Sequence, residues 1–304
     1  MLPPSLFSAS PCCLTVGNFD GVHLGHRRMV EELVAMAQKQ GTRAIAVTFD
    51  PPPLRLLAPE RCPPQLTTLA RRQSLLLAAG ADEVVVLPTT PELLQMTAEE
   101  FVESILLQQL KAVGIVEGPN FRFGRGRVGD VHTLRSLCAG RLPLTVVDAV
   151  ETDSGMISSS LIRTAIQSSQ IATARKMLGR PFEIQGVVGT GAQRGRTIGF
   201  PTANLEAIET LLPPPGVYAG RARVHGVPYT VALHIGPNPT FGEGALKVEA
   251  HLIGYQGNLY GTELVIELLD QLRGVVRFSC VESLIDQLRK DVAQAQAILA
   301  GDAA

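Results

Sequence analysis

The sequence predicts an α/β protein with two unlike domains, residues 1–180 and residues 181–304. Short apolar runs alternate with helical patterns in the first part of the chain, which indicates a parallel sheet with helices on both faces. After residue 181 the helical period almost disappears, and Gly and Pro separate short β-rich runs, which favours a small antiparallel barrel or sandwich. The length of 304 residues also suits two domains, since one domain typically takes about 100–200 residues.

The first domain contains five apolar runs with the length of buried strands. The spacing of apolar residues predicts helices over 26–40 and about 70–79. Thr97 and Glu100 have the spacing of a capping box, which opens a further helix. The predicted strands are 14–16, 44–49, 83–87, 114–117 and 144–147.

The second half of the chain changes from helices to strands. Two helical stretches, 159–167 and 171–178, precede Pro181, which cannot continue a helix. A capping box at Ser279 and Glu282 predicts the start of a terminal amphipathic helix. The strands predicted between these helices are 184–188, 217–224, 229–235, 248–253 and 264–268.

Composition and charge restrict the classes of function. Twenty-seven basic and 28 acidic residues give a formal net charge of -1, which argues against a protein that binds nucleic acid. No apolar run approaches the ~18 residues that a membrane helix needs, and the first residues lack the pattern of a signal peptide. The five cysteines show neither zinc-site spacing nor the density of a disulfide scaffold, so we expect a cytoplasmic protein.

A Gly-rich segment with two histidines, Gly17-Asn-Phe-Asp-Gly-Val-His-Leu-Gly-His26, follows the first predicted strand. Ligands of open α/β sheets bind beyond the carboxyl ends of the strands, and helix N-termini attract phosphate. His23 and His26 are therefore candidate catalytic residues that stabilise charge on a phosphate. A metal pair and a plain turn are alternative interpretations, although no third metal ligand lies nearby in sequence. The candidate nucleotide-binding residues here are Gly17, Asn18, Phe19 and Asp20.

A second helix start that suits a phosphate lies at Ile157-Ser-Ser-Ser-Leu-Ile-Arg163. The hydroxyls of Ser159 and Ser160 stand at the helix start, and Arg163 lies one turn further on. An ordinary serine N-cap explains one of these hydroxyls but not the whole set. These three residues are therefore further candidates for nucleotide binding.

The two motifs together resemble those of the HxGH nucleotidyltransferases, a Rossmann-like family. Gly118-Pro-Asn-Phe-Arg-Phe-Gly124 resembles a segment of their bacterial FMN adenylyltransferase branch. The resemblance implies attack on the α-phosphate of ATP with release of pyrophosphate. It also implies a flavin site in which aromatic rings face a flat ligand and arginine neutralises a phosphate. The residues that the resemblance assigns to flavin binding are Asn120, Phe121, Phe123 and Arg127.

A second Gly-rich stretch follows the first predicted strand of the second domain, and it matches no common phosphate motif. Arg194 stands where a dinucleotide fingerprint needs Gly, and Arg196 stands where a Walker loop has Lys. Gly-rich backbone can still wrap a nucleotide, and hydroxyl and amide oxygens suit Mg2+. A simple turn is the alternative interpretation. The candidate nucleotide-binding residues are Gly195, Arg196 and Thr202, and the candidate metal ligands are Thr202 and Asn204.

Glu249 and His251 share the polar face of the strand predicted over 248–253, where a solvated carboxylate is the simplest interpretation. However, Phe-Pro-Thr-Ala-Asn, Gly-Pro-Asn-Pro-Thr-Phe, Val-Glu-Ala-His and Asn-Leu-Tyr-Gly occur in an order that resembles the riboflavin kinase domain. The resemblance implies a β-barrel in which Glu249 takes the proton of the ribityl 5′-hydroxyl. It also implies that Thr202 and Asn204 bind Mg·ATP.

The whole chain thus resembles the bacterial riboflavin kinase/FAD synthetase family, in which the product of one domain is the substrate of the other. This resemblance implies Mg2+ as cofactor, ATP as co-substrate, and riboflavin, FMN and FAD as substrate and products. We expect small-molecule partners, no nucleic acid and no membrane, and we leave weak self-association open.

Several residues depart from the family pattern, among them Ser160, which replaces the usual Thr and keeps its hydroxyl. Pro52 replaces a His near the transferase pocket, Asn258 replaces an Asp, and Val275 replaces a Glu that the family associates with flavin binding. Because of Val275, an FMN adenylyltransferase with a weakened kinase flavin pocket stays an alternative. A non-catalytic flavin-binding regulator is the second alternative.

Overall fold

The computed structural model describes residues 10–152, 155–190, 194–238 and 243–302. The chain divides into two compact units. The first contains the chain up to Pro63 together with Thr67–Ser158, and the second contains Pro64–Leu66 and the chain from Ser159 onward. The domain boundary after residue 180 stays a prediction.

The first unit is built on a five-stranded sheet in which all paired strands are parallel. Its order is β3-β2-β1-β4-β5, so the strand order reverses between β1 and β4. This reversal is the position at which open α/β sheets bind their ligands. The strands are β1 (Cys12–Val16), β2 (Arg43–Asp50), β3 (Glu83–Pro88), β4 (Ala112–Glu117) and β5 (Leu144–Val146). A two-stranded ribbon, β6 (Glu151–Thr152) and β7 (Gly155–Met156), follows them.

The predicted helices of the first unit are present, and several short ones accompany them. The capping box of Thr97 and Glu100 is confirmed, since each side chain accepts the other residue's backbone N–H. The helix that follows it, Phe101–Gln109, is a π-helix. The α-helices are α1 (Leu24–Gln40), α2 (Pro53–Leu57), α3 (Leu69–Ala78), α4 (Pro91–Gln95), α5 (Ala98–Glu100) and α6 (Val131–Cys138), and two 3-10 helices are Pro59–Arg61 and Arg125–Arg127.

The second unit begins with two helices, α7 (Ser159–Gln167) and α8 (Ile171–Leu178), at the predicted positions. A closed antiparallel barrel of order β10-β11-β12-β9-β8-β13 follows, so the barrel alternative is confirmed over the sandwich. Its strands are β8 (Phe182–Gly189), β9 (Ala203–Glu206), β10 (Gly216–Val224), β11 (Val227–Asn238), β12 (Glu243–Leu252) and β13 (Glu263–Gly274), and α9 (Arg194–Thr197) lies between β8 and β9.

Strand β9 corrects the interpretation of residues 201–204 as a simple turn. Four residues are too few to show the alternation of a strand in the sequence, yet β9 pairs with β8 on one side and with β12 on the other. The barrel closes through these two ladders. This strand therefore brings the Gly-rich stretch of the second domain alongside β12.

The terminal helix α10 (Val281–Asp302) begins one residue later than a capping box at Ser279 requires, because Cys280 precedes its first residue. It buries Asp291, whose carboxylate accepts hydrogen bonds from the Arg273 guanidinium of β13 at 2.7–3.1 Å. This pair connects α10 to the barrel. No helix within the described ranges is long and apolar enough to cross a lipid bilayer.

Candidate functional site

The two predicted catalytic histidines meet at the N-terminus of α1, just beyond the carboxyl end of β1. His23 is the N-cap of α1, and its Nδ1 accepts the backbone N–H of His26 at 3.3 Å. The two imidazole rings stack, with centroids 3.6 Å apart and an interplanar angle of 17°. A neutral imidazole that accepts at Nδ1 carries its proton on Nε2. His23 can therefore donate a hydrogen bond from Nε2 to an anion.

The surroundings of His26 keep this imidazole uncharged. Burial lowers the pKa of His26 well below its usual value, and the nearby His23 and Arg72 lower it further. The edge of the Phe19 ring packs against it, with centroids 5.2 Å apart. Its Nδ1 is buried and has no hydrogen-bond partner among the described residues. A neutral His26 thus keeps unused hydrogen-bonding capacity beside the helix start.

The loop that carries the histidines is held from inside by Asp20. Its Oδ1 accepts hydrogen bonds from the backbone N–H of Thr67 at 3.1 Å and from Thr67 Oγ1 at 3.2 Å. The guanidinium of Arg72 on α3 lies 3.7 Å from the same oxygen, and both charged side chains are buried. Thr67 and Arg72 were not predicted as site residues, since nothing in their spacing marks them. The Asp20 carboxylate, predicted to bind nucleotide, is occupied by these internal contacts.

The other predicted residues of this loop differ in exposure. Asn18 is exposed, whereas the Phe19 side chain is only 1% exposed and packs in the core. A Cβ on Gly17 would stand 3.2 Å from the Phe19 ring, which explains a Gly there. Phe19 therefore offers a ligand only its backbone, and the side chain of Asn18 stays accessible.

The predicted flavin segment places two stacked rings at the end of β4. Phe121 and Phe123 stack with centroids 5.2 Å apart and an interplanar angle of 15°. Phe123 is 7% exposed and belongs to the core, whereas Phe121 is half-buried. Asn120 and Arg127 are both exposed. The ring that can meet a ligand is Phe121, and Phe123 supports it from beneath.

The predicted phosphate-binding helix start is confirmed as a helix start, because α7 begins at Ser159. Ser160 is exposed and Ser159 is half-buried, while Arg163 donates from Nε to the carbonyl of Pro64 at 2.8 Å. These three residues belong to the second unit, whereas both histidines belong to the first. Their action on the same triphosphate stays a prediction.

In the barrel, Glu249 and Asn204 are directly opposite each other in the ladder between β12 and β9. Residues directly opposite in an antiparallel pair project from the same face with Cβ atoms about 4.5–5.5 Å apart. Asn238 at the end of β11 donates from Nδ2 to Oε2 of Glu249 at 3.1 Å. On β11, His234 is the cross-strand partner of Glu249. The predicted base therefore has three polar neighbours.

Asn238 and His234 were missed as functional residues. Asn238 lies within the Gly236-Pro-Asn-Pro239 motif, so its signal was present in the sequence without an assigned role. His234 has no local signal, because only the register between β11 and β12 brings it to Glu249. Both contacts depend on strand pairing that sequence spacing does not specify.

The remaining predicted kinase residues line two clefts of the second unit. Thr202 and Arg196 line a cleft of about 630 Å³, together with Asn258 and Tyr260 of the loop before β13. Asn204 lines a different cleft of about 450 Å³. Thr202 and Asn204 are thus close in the chain, yet each lines a different cleft.

Gly195 lies against the segment that carries Thr202. A Cβ on Gly195 would stand 2.2 Å from the carbonyl oxygen of Phe200 and 3.5 Å from Oγ1 of Thr202. Such close approach to a backbone oxygen excludes any side chain at this position. Gly195 therefore allows α9 to pack against the Thr202 segment.

The donor atoms of the predicted metal site are oxygens. Within the described ranges there is no group of three His, Cys, Asp or Glu side chains that could hold a metal ion. The hydroxyl oxygen of Thr202 and the amide oxygen of Asn204, the two predicted ligands, suit a hard cation such as Mg2+, which completes its shell with water and phosphate. The residues present thus fit Mg2+ better than zinc.

The two family departures in the barrel have different consequences. Oδ1 of Asn258 accepts the backbone N–H of Tyr260 at 2.9 Å, so the turn needs only an oxygen that an Asp would also supply. Val275 is half-buried, with Cγ2 3.2 Å from where a Cβ of Gly236 would stand. It therefore lies beside Gly236 of β11, the strand that ends at Asn238.

Comparisons with known proteins agree with this division into two sites. A family model described as FAD synthetase matches residues 7–161, and one described as riboflavin kinase matches residues 178–299. A crystal structure of a protein described as a macrolide-efflux protein from Streptococcus pneumoniae is similar over 95% of both chains, with a TM-score of 0.86 and 29% identity.

Curated relatives are similar over nearly the whole chain. One from Pseudomonas fluorescens is 34% identical over 96% of this chain and 94% of its own length. Others from Listeria monocytogenes and Bacillus subtilis are 34% and 31% identical over 94% and 93% of this chain, and over 92% and 90% of their own lengths. All three are described as bifunctional riboflavin kinase/FMN adenylyltransferase.

Proposed function

Because the chain belongs to the bifunctional riboflavin kinase/FMN adenylyltransferase family, we propose that its barrel phosphorylates riboflavin to FMN and its α/β unit adenylylates FMN to FAD. The observation that carries this proposal is the register of the barrel, which sets the carboxylate of Glu249 opposite Asn204 and within hydrogen-bond distance of Asn238. A carboxylate held in this way is suited to act as a general base. The boundary between the two catalytic domains is proposed to follow residue 180.

In the kinase step, the 5′-hydroxyl oxygen of riboflavin attacks the γ-phosphorus of ATP while Glu249 accepts the hydroxyl proton. The bond from the γ-phosphorus to the bridging oxygen breaks, and ADP leaves. Phosphoryl transfer of this kind depends mainly on positioning and on neutralisation of charge. Gly195, Arg196 and Thr202 are proposed to hold the nucleotide, because Gly195 packs against the Thr202 segment and the other two line one cleft.

Thr202 and Asn204 would hold Mg2+ through Oγ1 and the amide oxygen. Such a cation supplies neutralisation of the phosphate charge that develops during transfer. Support for this assignment comes from the position of Asn204 directly opposite Glu249 in the ladder between β9 and β12. Thr202 shares its cleft with Arg196, which supports its place on the nucleotide side.

In the transferase step, a phosphate oxygen of FMN attacks the α-phosphorus of a second ATP, and pyrophosphate leaves. No covalent enzyme intermediate is required. His23 and His26 are proposed to donate hydrogen bonds to the phosphate oxygens, supported by their stacked position at the start of α1. The backbone of the Gly17–Asp20 loop and the side chain of Asn18 would complete this side of the nucleotide site.

The triphosphate and the flavin are assigned to two further groups of residues. Ser159, Ser160 and Arg163 would bind the triphosphate, supported by the start of α7 at Ser159. Asn120, Phe121 and Arg127 would bind the flavin, supported by their accessibility at the end of β4. Phe123 would act through Phe121, because its own ring is in the core.

The setting of the enzyme is part of the proposal. A cytoplasmic location is supported by the ATP that both reactions consume. Small molecules are the proposed partners, with neither nucleic acid nor membrane, and the formal net charge of -1 supports the first exclusion. Weak self-association stays open.

A time course with one purified protein tests the two activities together. Incubation with riboflavin, ATP and Mg2+, followed by chromatography of the flavins, is expected to show FMN first and FAD later. FAD formation from supplied FMN, without phosphorylation of riboflavin, would favour the adenylyltransferase alternative that Val275 suggests. Absence of pyrophosphate release from FMN and Mg·ATP would favour a non-catalytic flavin-binding regulator.

A further inference from the structure

Three polar residues form a row across three neighbouring strands of the barrel. His234 on β11 is the register partner of Glu249 on β12, and Glu249 is the register partner of Asn204 on β9. Side chains in such a row share one face of the sheet and lie within reach of one another. The proposed base is therefore flanked on both sides, and the proposed function uses only Asn204 of the two flanking residues.

Two of the neighbours approach the same carboxylate oxygen. Asn238 Nδ2 lies 3.1 Å from Oε2 of Glu249, and Nδ1 of His234 lies 3.9 Å from that oxygen. Among the described residues, Oε1 of Glu249 has no hydrogen-bond partner. The carboxylate thus has one oxygen directed to the protein and one left for a ligand.

The imidazole of His234 has an unused nitrogen at this position. Its Nδ1 is buried and has no hydrogen-bond partner among the described residues. A buried nitrogen without a partner costs free energy, so native structures contain few of them. A distance of 3.9 Å is too long for a hydrogen bond, but a small rotation of either side chain brings Nδ1 and Oε2 within reach.

The charge state of His234 suits a hydrogen bond to the base. Burial lowers the pKa of His234, Arg273 lowers it further, and Glu249 opposes these effects by raising it. A neutral imidazole with its proton on Nδ1 can donate to the carboxylate without forming a full ion pair. Such a donor restricts the orientation of the Glu249 carboxylate.

We infer that His234 is a positioning residue of riboflavin phosphorylation: with Asn238 it holds Oε2 of Glu249, so that Oε1 takes the proton from the attacking hydroxyl. This inference rests on the proposed role of Glu249 as the base. Many active sites combine a nucleophile, a base and a group that orients the base. Here the hydroxyl is the nucleophile, Glu249 is the base, and His234 orients the base through its second carboxylate oxygen.

Two amide variants test the position of the donor atom. His234→Asn places Nδ2 where Nδ1 stands, whereas His234→Gln moves the amide one carbon further along the side chain. We expect His234→Asn to keep most of the kcat for riboflavin phosphorylation. We expect His234→Gln to lose about 10²-fold in kcat with little change in KM for riboflavin or ATP, because misplacement of a reacting group by about 1 Å has an effect of this size.

Controls separate this effect from a loss of folding. His225→Asn and His225→Gln make the same changes at an exposed histidine in the turn between β10 and β11, and both are expected to behave as the wild type. FMN adenylylation measured on the same samples reports on the first unit. The midpoint of thermal unfolding is expected to be similar in the two His234 variants.

The outcomes distinguish this inference from the proposed function. Equal kcat values for His234→Asn and His234→Gln, with Glu249→Gln inactive, would overturn the inference and leave the base assignment in place. A Glu249→Gln variant with the kcat of the wild type would overturn the base assignment itself, and the inference with it.

Discussion

The carboxylate of Glu249 and the amide of Asn204 come from strands that are 45 positions apart in the sequence, yet they are paired residues of one antiparallel ladder. This pairing exists only because the short strand β9 is inserted between β8 and β12. The relationship places a proton acceptor beside a neutral oxygen donor suited to Mg2+. Substitutions at either position are therefore expected to affect the kinase reaction and not the adenylyl transfer.

Glu249→Gln is expected to lower kcat for riboflavin phosphorylation by about 10²–10⁴-fold, because the amide cannot accept the hydroxyl proton. The variant keeps the shape of the side chain, so adenylylation of supplied FMN is expected to continue at the wild-type rate. Chromatography of flavins from parallel reactions with riboflavin and with FMN measures both. Glu263→Gln, at an exposed carboxylate of β13, is the matched control. Equal loss of both activities would contradict the division of labour between the units.

His26→Ala is expected to lower FAD formation by about 10²–10³-fold, the usual effect of removing one donor to a developing oxyanion. FMN should then accumulate from riboflavin, since the barrel is untouched. His132→Ala on α6 changes an exposed histidine of the same unit and is expected to leave both products unchanged. FAD formation near the wild-type rate in His26→Ala would exclude this histidine from the transferase reaction.

Arg72→Met is expected to destabilise the first unit by roughly 3–5 kcal/mol, because it leaves the buried carboxylate of Asp20 without its cation. Urea unfolding followed through FMN adenylylation activity measures the change. Arg135→Met on α6 makes the same substitution at an exposed position and should be nearly neutral. A stability of Arg72→Met equal to that of the control would show that the pair does not support the histidine loop.

The buried carboxyl group of Glu117 is expected to give the stability of the protein an unusual dependence on pH. The pairing of β1 with β4 ends at Leu14 and Ile115, and beyond it the Glu117 side chain accepts the N–H of Val16 at 2.7 Å. Burial raises the pKa of Glu117 well above its usual value, and hydrogen bonds from Val16 and Gly118 oppose this effect only in part. The folded protein therefore keeps a proton that the unfolded chain loses, so this group's contribution to stability falls as the pH rises above about 4.5.

Glu117→Gln is expected to remove this decline. The free energy of unfolding of the variant, relative to the wild type, should rise between about pH 5 and pH 8, since only the wild type loses stability as this carboxyl is deprotonated in the unfolded chain. His26 acts in the opposite sense, but its effect is the same in both proteins and cancels in the difference. Urea titrations of both proteins at several pH values measure this, and a difference independent of pH would show that Glu117 is charged in the folded protein.

The parts of the fold that sequence patterns predicted are those with a long periodic signal. The strand predicted over 44–49 is Arg43–Asp50, and the helices over 159–167 and 171–178 have the predicted bounds. The helices Pro53–Leu57 and Pro91–Gln95 were not predicted, because five residues are too few to show a helical period. Strand β9 was missed for the same reason.

The residues of the candidate site also divide into those that the sequence predicted and those that it did not. His23 and His26 were found because local spacing alone brings them together on one helix start. Arg72, Asn238 and His234 were not, because the contacts that give them a role join separate elements. Register and packing decide such contacts, and neither can be read from one sequence. Packing also decides that Phe123 lies in the core while Phe121 stays accessible, so this difference could not be predicted from the sequence either.

Val275→Glu tests whether the departure at this position weakens riboflavin binding. Val275 lies beside Gly236, two positions before the Asn238 that donates to Glu249, so the substitution introduces a carboxylate next to this part of β11. We expect KM for riboflavin to fall about tenfold with little change in kcat, because a hydrogen bond to a charged group contributes about 1.5–3 kcal/mol. Val276→Glu, at an exposed neighbouring position, is the control for added charge. A KM unchanged in Val275→Glu would mean that this chain binds the flavin without a carboxylate at this position, and that Val275 does not weaken the kinase.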